Sequence, residues 1–243
     1  MGKADLHIHT QYSWDGTCTV RAVLKQAMTV GLDVVAITDH DSVAGCAEAV
    51  EIAPAYGIDV IPGCEVSTRE GHVLALFVKK PVQPHLPLLE TLYQIGEQGG
   101  IAVAAHPYEA HAPSLGREDV EKALADPLAA CVLVGIEAFN ASLLFNKSRY
   151  LAAQLPGVVN LAATGSSDAH ILRMIGGGAT AFPGRCAADL RQSLLQRTSQ
   201  VLRCDTLNLL RMLQSWVPRF LLRKAGWVTT NRVPEAPFSL ARL

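Results

Sequence analysis

Six of the eight histidines in this chain stand close to carboxylates in short clusters. Imidazole nitrogens and carboxylate oxygens without thiolates are ligands that suit Mn²⁺, Fe²⁺ or Zn²⁺. A His-x-His pair on a strand presents both imidazoles on one face, because strand side chains alternate with a period of two. These clusters predict a metal site: Asp5-Leu6-His7-Ile8-His9-Thr10, Thr38-Asp39-His40-Asp41, Glu65 with His72, His106-Pro107, and Ser167-Asp168-Ala169-His170.

Alternating strands and helices are predicted to carry these clusters. Short runs rich in Val, Ile and Ala alternate with longer segments of helical period, which is typical of β-α units around a parallel sheet. The predicted strands are 4–9, 33–38, 58–64, 72–78, 101–106, 132–138 and 160–166. The predicted helices are 19–31, 43–56, 87–99, 117–130, 142–155 and 187–198. The glycines at 176–178 are expected to form a turn before a final strand.

Most of the clusters lie at or just beyond the ends of predicted strands. His40 follows strand 33–38, His106 ends strand 101–106, and Asp168 follows strand 160–166. One metal pocket needs these ends in a ring, which a closed β/α barrel provides and an open doubly wound sheet does not. The seven strands therefore predict an α/β fold, a distorted (β/α)7 barrel with the metal site at the C-terminal face of the strands.

Composition favours one α/β domain with a tail of different charge. The 243 residues are 49% hydrophobic and 18% charged, which is enough for a large core. Residues 1–200 hold 14 basic and 20 acidic residues, a net charge of −6, whereas residues 201–243 hold 7 basic and 2 acidic residues, a net charge of +5. We therefore divide the chain into a hydrolase barrel over 1–200 and a basic, partly helical C-terminal extension over 201–243.

The basic segment 205–225 has apolar residues at helical spacing, and Pro218 is expected to break or kink it. A membrane-surface helix, an RNA contact, a dimer contact and a helix packed on the barrel all fit this pattern, and packing is the plainest of the four. Residues 226–243 are expected to form an irregular end. The oligomeric state is left open.

The six cysteines are scattered and include no C-x-x-C pair, so neither a disulfide framework nor a zinc ribbon is predicted. Reduced thiols in a cytoplasmic protein are the expectation. The motif at Asp5 begins after four residues, which is expected to leave no room for a signal peptide. No run of about 18 apolar residues is present, so no transmembrane segment is predicted.

The order of the motifs resembles that of the PHP (polymerase and histidinol phosphatase) family. The resemblance runs from residue 5 to about residue 185 and implies a distorted seven-stranded β/α barrel with two or three metal ions. Stand-alone members of similar length hydrolyse phosphoesters, some of them on nucleotides or short RNA. Besides the clusters around His7, His40 and Asp168, the matching motifs are Gly63-Cys64-Glu65, Gly71-His72-Val73-Leu74 and Ala105-His106-Pro107.

The resemblance implies three metal positions. The first ion would bind His7, His9, Glu65 and Asp168; the second His72, His106 and a bridging Glu65; and the third Asp15, His40 and His170. The loop Ser13-Trp14-Asp15-Gly16 has one residue more than the Ser-Asp-Gly often found at this point, so the third position depends on the register of that loop. The predicted catalytic residues are Glu65, Asp168, His170 and Asp15.

This ligand set predicts hydrolysis of phosphate monoesters of nucleotide-type or other small substrates. A shared Glu65 would hold two ions about 3.5–4 Å apart, and metal-bound hydroxide would attack phosphorus. Arg69 and Arg173 are the candidate substrate-binding residues, because a guanidinium fits phosphate oxygens. Three further carboxylates are expected to accept imidazole N–H groups of the ligand histidines, namely Asp5, Asp39 and Asp41.

Other functions fit the same motifs. Histidinol-phosphate phosphatase and short-RNA 5'-3' exonuclease are the nearest enzymatic alternatives. Amidohydrolases also use His-x-His and a late Asp, but they usually need a bridging lysine that has no clear position here. A non-catalytic binding module would have lost some of the nine ligand positions, and none is visibly lost.

Overall fold

The computed structural model describes residues 1–109, 112–142, 160–204 and 209–226. The predicted helix over 142–155 and the predicted irregular end over 226–243 fall almost entirely outside these ranges. The described strands are β1 (Gly2–Asp5), β2 (Val34–Ile37), β3 (Asp59–Ser67), β4 (His72–Leu76), β5 (Ile101–Ala104), β6 (Leu133–Asn140), β7 (Ala162–Ser166), β8 (Gly178–Phe182) and β9 (Gln200–Arg203). The described α-helices are α1 (Val20–Thr29), α2 (Ala44–Ile52), α3 (Leu88–Glu97), α4 (Arg117–Ala125), α5 (Pro127–Val132), α6 (Ala187–Gln196) and α7 (Leu209–Lys224).

These strands form one sheet in the order β7-β6-β5-β4-β3-β2-β1-β8-β9. Strands β1, β2 and β3 run parallel, as do β5, β6 and β7, whereas β4 is antiparallel to both of its neighbours. The sheet curves until β8 comes next to β7. At this point the Thr180 hydroxyl on β8 donates a hydrogen bond to the Gly165 carbonyl on β7 at 2.9 Å. The predicted distorted α/β barrel is confirmed.

The strand predictions needed two corrections. Strand β1 ends at Asp5 rather than at residue 9, because Ile8 leaves the ladder and forms a bridge with Ala169. Strand β8 is the strand that was expected after the glycine run. Strand β9 was not predicted, and it pairs antiparallel with β8. A four-residue edge strand is too short to carry a recognisable alternation of apolar and polar residues.

Apolar residues of the central strands are buried on both faces of the sheet. On β2, Val34 and Ala36 belong to one apolar cluster, whereas Val35 and Ile37 belong to another that includes residues of α1 and α2. Neighbouring strand residues point to opposite faces, so both sets must be apolar. This explains the uninterrupted apolar runs, and it leaves the strand ends as the natural positions for polar side chains.

One predicted helix, over 117–130, is divided into α4 and α5. Pro127 lacks the N–H that a continuing helix would need, and it occupies the first turn of α5 instead. The Asp126 side chain caps this new helix by accepting from the backbone N–H groups of Leu128 and Ala129 at 3.0 and 2.8 Å. The sequence Asp-Pro therefore starts a second helix.

The C-terminal helix α7 runs from Leu209 to Lys224 through Pro218. Of the two predicted effects of Pro218, a break or a kink, the break is wrong, although a proline removes one helical hydrogen bond. Packing of α7 against the barrel through Trp216 and Arg223 offsets that cost, because tertiary contacts supply most of the stability of a helix in a protein.

All six cysteines are free. Within the described ranges, no helix has the length and apolarity that crossing a bilayer requires.

Candidate metal centre

The strand ends bring all nine predicted ligands together at one end of the barrel. His7 and His9 follow β1, His40 follows β2, and Glu65 lies within β3. Asp15 lies in the loop between β1 and α1. The remaining four ligands lie at the start of β4, after β5 and after β7; they are His72, His106, Asp168 and His170. Because the parallel strands point the same way, their carboxyl ends converge on one pocket.

Glu65 lies at the centre of this group, and its carboxylate is buried. Its Oε1 atom is 2.8 Å from His72 Nδ1 and 3.0 Å from His106 Nε2. Its Oε2 atom faces three further nitrogens, which are His7 Nε2 at 3.1 Å, His40 Nδ1 at 3.2 Å and His9 Nε2 at 3.3 Å. A carboxylate with nitrogens around both oxygens has the arrangement that a bridging ligand needs.

The donors fit divalent metal ions. His7 Nε2 and His9 Nε2 are buried, and neither makes a hydrogen bond. Both point at Asp168 Oδ1, at 3.4 and 3.3 Å. Buried nitrogen atoms without a hydrogen-bond partner are costly in a folded protein, and a cation between these nitrogens and the carboxylate oxygen would satisfy them.

Four groups of donors in the described chain lie close enough to share an ion. They are His7-His9-Asp168, His7-Glu65-His106, His40-Glu65-His72 and His9-Asp15-His40-His170. Glu65 belongs to two of them, and His7, His9 and His40 also belong to two each. The donor atoms therefore form one continuous cluster rather than three separate sites.

Asp15 reaches the cluster despite the longer loop around it. Its Oδ2 atom is 2.9 Å from His170 Nε2 and 3.3 Å from His40 Nε2. The loop folds back tightly after Asp15, because a Cβ at Gly16 would lie only 1.9 Å from the Thr10 carbonyl oxygen. Glycine at position 16 therefore permits the turn that directs Asp15 inward.

Histidines and carboxylates of the cluster shift each other's pKa strongly. Burial disfavours the charged form of His9, but the nearby carboxylates of Asp168, Glu65 and Asp15 outweigh burial and raise its pKa to about 10. The pKa of His7 is also held well above its ordinary value, since Asp168 and Glu65 outweigh the effect of burial. Burial would raise the pKa of both carboxylates, yet the histidines hold them below the ordinary range. The cluster therefore favours cations, either protons or metal ions.

Glu137 is a buried carboxylate that the sequence analysis missed. On β6, its Oε1 accepts from His7 Nδ1 at 3.0 Å and its Oε2 accepts from the His106 backbone N–H at 2.6 Å. When the His7 imidazole is neutral, this contact keeps its proton on Nδ1 and leaves the Nε2 lone pair facing the cluster. A glutamate within the apolar strand 133–140 was the available signal, because an unpaired buried charge is rare.

Ser13 orients the imidazole of His9, as Glu137 orients that of His7. Its hydroxyl accepts from His9 Nδ1 at 3.2 Å and donates to Asp15 Oδ1 at 2.7 Å. His106 Nδ1 lies 3.1 Å from the Ser114 hydroxyl, and His170 Nδ1 donates to the Asp168 carbonyl at 3.0 Å. Nothing in the spacing of the sequence predicted either serine.

The predicted role of three carboxylates as imidazole acceptors is wrong. Asp5 accepts from the backbone N–H groups of Ser167 and Gly176. The other two bind a backbone N–H and a hydroxyl each, Asp39 from Thr10 and Asp41 from Ser67. These carboxylates hold the loops that carry the ligands, because loop N–H groups at the strand ends need acceptors.

Two ligand-bearing residues have unusual backbone angles. The φ angles of Asp168 and His106 are +51° and +27°, a region that residues with a side chain seldom adopt. Such conformations persist only where the surrounding structure holds them. Here the Ala169 backbone, which bonds to His7 and His9 on both sides, and the Glu137 carboxylate hold these residues.

The cluster opens into a cavity of about 340 Å³. Its inner side consists of ligand residues, and its outer side is largely apolar. The apolar lining includes Trp14, Pro113, Met174, Leu213 and Trp216. The Trp14 ring is 61% exposed and stacks on His40 with ring centroids 5.7 Å apart. The cavity therefore has a polar inner side and an outer side that is apolar and partly aromatic.

Arg69 and Arg173 are not among the described residues that line this cavity. Arg69 is exposed, and its Nε donates to the His85 carbonyl at 3.2 Å. Arg173 is exposed within the 3-10 helix Leu172–Met174.

Comparison with known proteins agrees with this geometry. The family model described as PHP domain matches residues 5–168, and the model described as PHP-associated matches residues 147–199. The chain belongs to the PHP family. The predicted PHP phosphoesterase family is confirmed for this PHP chain. Both matched regions end before helix α7.

Several relatives extend the comparison. This PHP chain is 39% identical over 149 residues to an uncharacterized protein of Methanocaldococcus jannaschii, covering 57% of this chain and 82% of that one. It is 34% identical over 128 residues to a 5'-3' exoribonuclease of Haemophilus influenzae, covering 51% and 46%. It is 39% identical over 82 residues to a phosphoribosyl 1,2-cyclic phosphate 1,2-diphosphodiesterase of Eggerthella lenta, covering 31% of each chain.

The fold also matches a solved structure. A two-domain protein from Bacteroides vulgatus, described as containing a predicted PHP-like metal-dependent phosphoesterase, superposes with a TM-score of 0.69 at 19% identity. The match covers 90% of this PHP chain and 68% of that protein. At this identity the likeness supports the fold alone.

Proposed function

We propose that this PHP chain hydrolyses phosphate monoesters of nucleotide-type or other small substrates with two or three bound divalent ions. The observation that carries the proposal is the Glu65 carboxylate, whose two oxygens face five imidazole nitrogens within 3.3 Å. Relatives support the nucleotide type, because the two with named activities act on RNA and on a phosphoribosyl cyclic phosphate. They are matched over less than half of their length.

The first ion would be held by His7, His9, Glu65 and Asp168, and the second by His72, His106 and the shared Glu65. Asp15, His40 and His170 would hold the third. When bound, such ions polarise a phosphoryl oxygen, activate water and neutralise charge in the transition state. The native metal is proposed only as Mn²⁺, Fe²⁺ or Zn²⁺, because these nitrogen and oxygen donors suit all three.

The surrounding side chains orient the ligand histidines for metal binding. Glu137 holds a proton on His7 Nδ1, and Ser13 accepts the proton of His9 Nδ1. Each contact leaves the Nε2 atom free to act as a ligand. The apolar wall of Trp14, Met174 and Trp216 limits water near the cluster and offers an aromatic surface to the leaving group.

A phosphate-release screen tests the proposal. Metal-free protein would be loaded with Mn²⁺, Fe²⁺ or Zn²⁺ in turn and assayed on nucleoside monophosphates, nucleoside bisphosphates, histidinol phosphate and short RNA. We expect phosphate release from a nucleotide substrate and its loss in Asp168→Ala. Cleavage of an amide or a lactone with no phosphate release would contradict the proposal. A cytoplasmic location, expected from the free cysteines, stays a prediction.

A further inference from the structure

Helix α7 contributes to the cavity although it lies outside both matched regions of the family. Leu213 and Trp216 line the cavity beside Met174 and Asp15. Trp216 is partly buried against the hydrophobic core and stacks on Phe220, with ring centroids 4.5 Å apart. The helix is therefore part of the wall of the candidate active site.

Two side chains of α7 also hold the loop that carries Asp15. Trp216 Nε1 donates to the Asp15 carbonyl oxygen at 3.1 Å. Arg223 donates from Nη1 to the Gly16 carbonyl and from Nη2 to the Gln11 carbonyl, the latter at 3.0 Å. One helix thus binds three backbone carbonyls of a single loop, which we call the Asp15 loop (residues 10–18).

The position of this loop decides whether the Asp15 carboxylate meets its partners. Asp15 Oδ2 lies 2.9 Å from His170 Nε2 and 3.3 Å from His40 Nε2, and a shift of about 1 Å would separate a ligand from its site. Within the loop, Gln11 N–H donates to the Cys18 carbonyl at 2.7 Å and closes its base. The contacts from α7 hold the loop from outside.

We propose that α7 is a built-in part of the active site, in which Arg223 and Trp216 are positioning residues for the Asp15 loop and hence for the third metal position. The inference rests on the proposed function only in assigning a metal ion to Asp15. We call these three hydrogen bonds from Trp216 and Arg223 to the loop carbonyls the clamp. The clamp forms in the metal-free protein, because each of its hydrogen bonds joins two parts of this chain.

Hydrogen exchange of the metal-free, full-length protein tests the clamp. Arg223→Ala should accelerate exchange of amides in the Asp15 loop about tenfold or more, since hydrogen bonds to a charged group are among the stronger ones. Arg219→Ala is the matched control: Arg219 carries the same charge on the same helix and lies near enough to act on Cys18 of the loop, but its hydrogen bond goes to the Ser215 carbonyl of its own helix. We expect the control to leave loop exchange unchanged.

A Trp216→Phe variant keeps an aromatic side chain in the cavity wall, and it removes the Nε1 donor to the Asp15 carbonyl together with part of the indole surface. It should accelerate loop exchange less than Arg223→Ala does, and it decides the question if Arg223→Ala does not fold. Equal loop exchange in Arg223→Ala, Trp216→Phe and Arg219→Ala would overturn the clamp.

A Mn²⁺ titration tests the link to the third position. In Arg223→Ala, one ion should bind about tenfold more weakly, matching the loss in Asp15→Asn, while binding of the other ions stays unchanged. Normal binding of every ion in Arg223→Ala would overturn the positioning role. If the parent protein released no phosphate from any ester yet showed the predicted exchange pattern, the proposed function would fail and the clamp would stand.

Discussion

The two sides of the cavity are built in different ways. On the inner side, strand ends of the barrel hold the buried residues His7, His9 and Glu65, and each nitrogen faces a carboxylate oxygen. On the outer side, Trp14 from a loop and Leu213 from α7 keep 61% and 38% of their surfaces exposed. The inner side lies within the matched family regions, whereas α7 lies beyond residue 199.

This difference separates the side of the cavity that carries out the reaction from the side that selects the substrate. A metal cluster needs several ligands held within a few tenths of an ångström, which rigid strand ends provide. A wall that contacts the leaving group can be supplied by loops and added helices, because it needs shape rather than coordination geometry. Changes on the inner side should therefore abolish reaction. Changes on the outer side should alter substrate preference, except at Trp216, which also holds the Asp15 loop.

The largest effect is expected from His9→Ala. Its Nε2 faces both Glu65 and Asp168, so its loss should lower phosphate release on the order of a thousandfold with the fold retained. The control is His85→Ala, which removes an exposed histidine outside the metal cluster. Near-normal turnover of a metal-loaded His9→Ala preparation would contradict the assignment of the inner side.

Metal affinity should fall as the pH falls. In the metal-free protein His9, with a pKa raised to about 10, and His7, with a pKa also raised, carry protons at neutral pH. A metal ion must displace those protons, so each one should cost about tenfold in affinity per pH unit below the raised pKa. Calorimetry at pH 8 and pH 6, in two buffers of different ionisation enthalpy, measures the protons released. Equal binding heats in the two buffers would rule this linkage out.

A smaller loss is expected from Glu137→Gln. The amide keeps the size of the side chain but weakens the acceptor for His7 Nδ1 and the His106 backbone N–H. We expect metal affinity to fall by about 10- to 100-fold. Glu121→Gln is the control, since Glu121 is exposed on α4 and pairs with Arg117. Unchanged metal affinity in Glu137→Gln would leave Glu137 without a role in the cluster.

The smallest effect is expected from Trp14→Ala on the outer side. Loss of a stacking surface should weaken binding of a nucleoside monophosphate by about fivefold, at the lower end of base stacking energies because the ring is exposed. Binding of ribose 5-phosphate should not change, since it has no base. If both ligands weakened equally, the outer side would act on the phosphate rather than on the leaving group.

Much of the inner side could be predicted from the sequence. The ordered motifs around His7, His40 and Asp168 identified the family, and their places after apolar strands indicated a ring in a barrel. The nine predicted ligands join one cluster, and seven of them line the cavity, including Asp15 in its longer loop. Local patterns of this kind depend on residues near each other in the chain.

Other features could not be predicted because they join distant parts of the chain. Glu137 meets His7 across 130 positions, and Arg223 meets Gln11 across 212. Pro218 suggested a broken helix, yet the barrel holds α7 as one helix across it. Arg69 and Arg173 stood close to ligands in sequence but lie outside the described cavity lining.

The sequence by itself determined the ligand types, their order and the barrel that presents them, because residue chemistry and strand periodicity depend only on short segments of the chain. Only the tertiary structure decided which groups orient the imidazoles and which helix completes the cavity. Such partners are selected by packing and by the cost of leaving a buried polar group unpaired, and both depend on the whole fold.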